Sequence, residues 1–161
     1  TSHTRSRRTT MIEVDLRHFP SKIMKARSIA LIGNGGNLAI AQHMASDLTR
    51  HTGKFCFAPD SVHTTALGGD GDWKLPYMSY AKNAELVIGI TCRKDSGVSN
   101  AIMEVRHQCD TLLIAPLHHD VLDTLVIPAK TYHEFECTAL WTIYRIMEHI
   151  GVILPELPHI K

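Results

Sequence analysis

A net excess of either charge is nearly absent from this 161-residue chain, in which 17 lysines and arginines face 16 aspartates and glutamates for a formal net charge of +1. Such a balance gives no electrostatic footing for nucleic acid or a membrane surface. Long apolar runs are missing as well: none approaches the roughly 20 residues that span a bilayer, and no signal-peptide pattern is present. The 4 cysteines, Cys56, Cys92, Cys109 and Cys137, stand far apart with no CxxC spacing. That spacing argues against a zinc knuckle or a disulfide framework and fits a reduced, cytoplasmic compartment. There is also no internal repeat, low-complexity segment or linker that would divide the chain.

What remains is ordinary globular composition, 44% apolar and 20% charged, at a length that suits one domain better than two. The opening "TSHTRSRRTT", residues 1–10, reads as a flexible or vector-derived tail in preference to a phosphate-binding basic arm, and 11–161 as a single domain. Eleven histidines are an unusual number, and histidine is the side chain best able to bind metal or move protons near neutral pH.

Apolar segments alternate with helical patterns along the chain. "SIALI" (28–32), "FCFA" (55–58), "AELVIGI" (84–90), "TLLIA" (111–115) and "TLVIPA" (124–129) read as strands, several of them uncharged throughout. Helical spacing is clear in 38–48, through Leu38, Ala41, Met44, Ala45 and Leu48, and again in 98–109 and 133–149. Residues 12–26 predict a short helix interrupted near Pro20, and 59–73 a loop-rich stretch. Strands that alternate with helices and lack a polar face predict a doubly wound α/β domain with about five parallel strands flanked by helices. The last helix, with Phe135, Leu140, Trp141, Ile143, Tyr144, Ile146 and Met147, is apolar over more than one face, which points to a central position or a subunit interface.

Two loops carry chemistry. "GNGGN" (33–37) lies between a strand end and a helix start, where glycines admit close approach to the backbone and a helix N-terminus offers N–H groups to an anion. Asn34, Gly35, Gly36 and Asn37 are therefore candidate phosphate contacts, with a tight turn capped by Asn37 as the plainer alternative. On the following helix His43 and Asp47 stand at i and i+4 and share a face, as a functional pair or a solvated one. "TCRKDSGVSN" (91–100) follows another apolar strand; Thr91, Cys92 and Ser96 offer small donors, and Arg93 and Lys94 positive charge, unless Ser96 or Ser99 merely caps the helix. Polar loops at the carboxyl ends of parallel strands mark the ligand crevice of an open α/β sheet. Asp60, His63, Thr64, Asp70 and Asp72 supply further polar groups, and His133, Glu136 and Tyr144 lie on the last helix, with Glu136 and Tyr144 two turns apart and close to one face.

In this order, "GNGGNLAIAQHMASDL", "DSVHTTALGGDGDW", "ELVIGITCRKDSGVSNAI" and the final helix resemble the SIS-domain sugar isomerases of the phosphoheptose isomerase type, over roughly residues 28–150. The resemblance implies a flavodoxin-like SIS-domain sandwich and a homotetramer, or a dimer given the shortened N-terminal helix. It also implies isomerisation of sedoheptulose 7-phosphate to an aldoheptose 7-phosphate that supplies heptose for surface polysaccharide such as lipopolysaccharide. Carried over residue by residue, it makes Asp47 the base, where the family has glutamate, His43 its partner, and Tyr144 a further acid where the family has histidine. Asn34, Gly35, Gly36, Asn37, Asp70, Thr91, Cys92, Arg93, Ser96 and Glu136 would contact the phosphorylated sugar. Zinc or another divalent ion would be held by His43, Asp47 and Glu136, the last replacing a glutamine. The alternative is a non-catalytic SIS domain that binds a sugar phosphate or a protein partner in a regulatory role.

Overall fold

The computed structural model describes residues 16, 19–69 and 71–157; the tail 1–10 lies outside them, as do 11–15, 17, 18, 70 and 158–161. Five parallel strands, β1 (Ser28–Gly33), β2 (Phe55–Phe57), β3 (Leu86–Ile90), β4 (Asp110–Ala115) and β5 (Thr124–Val126), form one sheet in the order β2-β1-β3-β4-β5. This is the flavodoxin-like doubly wound order, in which the chain reverses direction of travel between β1 and β3. In-register pairs such as Ile29↔Leu86 and Leu86↔Asp110 lock the three central strands.

Alternation along each strand divides the core into two layers. Ile29, Leu31, Ile88, Leu112 and Ile114 face α1 (Phe19–Lys25), α2 (Gly36–Thr52) and α6 (Tyr132–His149). Ala30, Ile32, Val87, Leu113 and Ala115 face α4 (Leu75–Ala81) and α5 (Gly97–Val105). Both faces of β3 are thus covered, which is why 86–90 carries no polar side chain and is buried throughout. On the α5 side, a Cβ at Gly89 would stand 2.3 Å from the Ile102 side chain, so glycine lets that helix ride close to the sheet.

The helix expected over 12–26 lies partly outside the described residues; within them α1 begins at Phe19, with Pro20 in its first turn, where a missing N–H costs nothing. Two expectations need correction. The stretch 61–69 is a helix, α3 (Ser61–Gly69), and not a loop. Asp60 starts it by accepting from the His63 backbone N–H at 2.7 Å, and the Thr64 and Thr65 hydroxyls fold back onto carbonyls one turn earlier at 2.8 Å each. Finally, β5 stops at Val126, short of the expected 129. The last helix, α6, buries one stripe, Phe135, Ala139, Thr142, Ile143, Ile146 and Met147, and leaves Leu140, Trp141 and Tyr144 only partly covered. No helix among the described residues is long and apolar enough to cross a membrane.

Candidate active-site cleft at the strand switch point

The loops after β1 and β3 leave the sheet on either side of the switch point and enclose a cleft of about 540 Å³. Asn34, Gly35, Gly36 and Asn37 line one wall, Thr91, Cys92, Arg93, Asp95, Ser96 and Gly97 another, and Trp73, Tyr132 and Glu136 complete it. Nine of the ten residues expected to touch a sugar phosphate therefore share one cavity; the tenth, Asp70, lies outside the described residues. Trp73 and Tyr132 were not anticipated. Both are large, apolar in body and more than half exposed, at 54% and 58%, a property no sequence pattern reports.

The β1 loop enters α2 through Gly35, whose φ of 54° lies in the left-handed region and which provides no side-chain cap. Asn37 is accordingly not the cap. Its side chain is buried inside the first turn, with Nδ2 donating to Cys92 Sγ at 3.6 Å and Oδ1 buried without a hydrogen-bond partner. Asn34 is aimed by Tyr77, whose hydroxyl donates to Asn34 Oδ1, so the amide N–H groups of Asn34 stay available to a ligand. Across the cleft the Glu136 carboxylate lies tight on Gly36, where a Cβ would come within 2.3 Å of Oε1; a negative group beside a helix N-terminus is favoured by the helix dipole.

The β3 loop is organised by Thr91, which is buried. Its hydroxyl accepts from the Arg93 N–H and meets Ser96 Oγ, each at 3.2 Å. Ser96 caps α5 in a reciprocal box with Ser99, so the capping reading of this serine holds while its side chain still lines the cleft. Lys94 turns away to pair with Asp120 at 2.7 Å, and that ammonium holds the Asp120 carboxyl below its usual range. It staples the loop to the β4–β5 connection; Arg93 is the cation that reaches the lining.

Further along the α2–α6 seam, Tyr144 joins the helical pair. Its hydroxyl donates to Asp47 Oδ2 at 2.8 Å and lies 2.6 Å from His43 Nε2, while His43 Nε2 and Asp47 Oδ2 are 3.4 Å apart. His43 and Asp47 are thus hydrogen-bonded through Tyr144, while the His43 side chain remains 54% exposed. The implied metal trio, however, is split between two places: Glu136 sits at Gly36, and among the described residues no three His, Cys, Asp or Glu side chains are grouped to hold a metal ion.

Burial pushes the Tyr77 phenol up to about 12. Burial followed by the bond to Asp47 does the same for Tyr144, again to about 12, and burial also raises the Cys56 and Cys109 thiols. In the unfolded chain a phenol ionises near 10. Stability from these groups is therefore fully present below the unfolded values and is lost as pH rises through the folded ones. The urea midpoint should fall steadily between about pH 9 and 12, and Tyr77→Phe should flatten that decline; an equally steep decline in the variant would exclude Tyr77 as a source.

No protein-family model matches the chain, and comparison with curated proteins finds no match. Solved structures do resemble it. A phosphoheptose isomerase from Neisseria gonorrhoeae superposes with a TM-score of 0.62 at 21% identity, covering 77% of this chain and 76% of that one. A phosphoheptose isomerase from Francisella tularensis gives 0.59 at 18% identity, with 76% and 75% covered. A protein from E. coli CFT073 gives 0.61 at 17% identity, with 87% and 79% covered. The chain has the SIS-type α/β fold of these phosphoheptose isomerases.

Proposed function

We propose that this protein is a sugar-phosphate aldose–ketose isomerase, with sedoheptulose 7-phosphate as substrate and the aldoheptose 7-phosphate as product. The observation that carries this reading is the placement of two different chemistries on one helix. The N-terminus of α2 opens into the polar cleft, and His43 and Asp47, joined by Tyr144 of α6, lie on the same helix. Asn37 and His43 are six residues apart, about 9 Å at 1.5 Å per residue. A carbon chain of five or six bonds, each advancing about 1.25 Å when extended, plus a phosphoester spans a comparable distance. A phosphate at the loops would thus leave the carbonyl end level with His43, whose Nε2 lies 3.4 Å from Asp47 Oδ2.

Ketose–aldose exchange needs a base for the proton next to the carbonyl and a donor for the developing oxyanion. Asp47 is the base, held by Tyr144, and the Asn34 amide, fixed by Tyr77, is a donor to sugar oxygens. Arg93 and the backbone of the two loops hold phosphate. Assembly as a homo-oligomer in the cytoplasm, serving surface-polysaccharide synthesis, completes the proposal.

Incubation of the full chain with sedoheptulose 7-phosphate should yield an aldose phosphate detectable by reducing-end derivatisation. If sugar phosphates raise Tm but no aldose forms on prolonged incubation, the protein is a binding module instead.

A further inference from the structure

We propose that Tyr144 holds the position a metal ion would need between His43 and Asp47, so that this chain keeps its imidazole and carboxylate as a metal-free, hydrogen-bonded pair with Tyr144 as their positioning residue. The proposal concerns the site on which the isomerase reading rests. Its test reads bound metal and a ring tautomer instead of turnover, so either can fail without the other.

Two donors on a tetrahedral zinc, each about 2.0–2.2 Å from the ion, lie about 3.4 Å from one another. His43 Nε2 and Asp47 Oδ2 are 3.4 Å apart, a spacing that would suit a metal. The gap is filled, however, because Tyr144 Oη is 2.6 Å from the nitrogen and 2.8 Å from the oxygen. Since the phenol gives its proton to Asp47, the short contact with His43 requires Nε2–H to donate to Oη. The nitrogen that faces the gap therefore carries a hydrogen and has no lone pair for a metal, and the open lone pair of the ring is on Nδ1.

Nor does the seam supply a replacement donor. A catalytic zinc takes three protein ligands. Glu136, the third expected here, is eight residues from Tyr144 along α6, about 12 Å of helix, with its carboxylate against Gly36. The phenol is itself a poor substitute, since its one proton is committed to Asp47 Oδ2 at 2.8 Å. What the hydroxyl offers is a proton shared along a line from imidazole to carboxylate, which fixes the rotamers of both.

The full chain, loaded with zinc chloride and then dialysed, should retain well under one zinc per chain by elemental analysis, with Tm unmoved by the metal. Tyr144→His should retain close to one, and its Tm should rise by roughly 5–10 °C when zinc exceeds its Kd about a hundredfold. Long-range ¹H–¹⁵N spectra of the wild type should show His43 protonated on Nε2, a measurement that needs no variant to fold; the hydrogen-bond shift should vanish in Tyr144→Phe. One zinc retained by the wild type and lost in His43→Ala overturns the proposal. So does an unprotonated Nε2, or a natively folded Tyr144→His that takes up no metal.

Discussion

Asp47→Asn is expected to slow conversion of sedoheptulose 7-phosphate by about 100- to 10,000-fold, the range for loss of a positioned acid–base group, while moving Tm by no more than a few degrees. The two halves of this expectation have separate causes. Asparagine is isosteric with aspartate and its carbonyl oxygen can still accept from the Tyr144 hydroxyl, which now donates to Oδ2 at 2.8 Å, so the α2–α6 seam keeps its hydrogen bond. The amide cannot take a proton from carbon, so the chemical step loses its base. KM changes little and kcat carries the loss, because the phosphate contacts on α2 lie ten or more residues away at the other end of the helix. A kcat within about threefold of wild type would remove Asp47 as the base.

The largest expected loss of stability comes from Gly33→Ala, at about 3 kcal/mol, the upper end of the usual cost of overpacking. For a domain of this size that is roughly 6–12 °C in Tm. Gly33 closes β1, and a Cβ there would stand 2.5 Å from the Asn37 carbonyl oxygen, 2.6 Å from its carbon and 2.9 Å from the Leu38 nitrogen. All three are backbone atoms of the first turn of α2. None can rotate out of the way as a side chain would, so the strand end or the helix must move. Because that turn also forms a wall of the cleft, ligand affinity should fall together with Tm. Gly69→Ala is the matched control, since a Cβ at Gly69 meets nothing within 4 Å. A Gly33→Ala protein that melts within about 2 °C of wild type would show that the β1–α2 junction yields more easily than its geometry indicates.

Both predictions turn on a junction that the sequence displays openly. "SIALIGNGGN" announces a strand, a sharp passage and a helix because burial on two faces demands an uncharged run, and because glycine alone tolerates the φ of 54° at Gly35. The same logic made β3, β4, α2, α5 and α6 legible, and with them a parallel doubly wound sheet whose ligand loops lie at the strand ends. α3 was harder to read. Its threonines and paired glycines are turn formers by composition, and only the Asp60 cap and the threonine back-bonding show why they coil there.

What composition and spacing determined by themselves was the order of the five strands and of α2, α5 and α6, the two polar loops and the i, i+4 pairing of His43 with Asp47, since all of these are local and periodic. What tertiary structure decided was which distant groups meet. Glu136 is 100 residues from Gly36 yet rests on it, Lys94 spends its charge on Asp120, and the Tyr144 hydroxyl closes the gap between His43 and Asp47. Such partners are set by how α6 lies along α2 and by which loop reaches which, and no local pattern records the angle or depth of that packing.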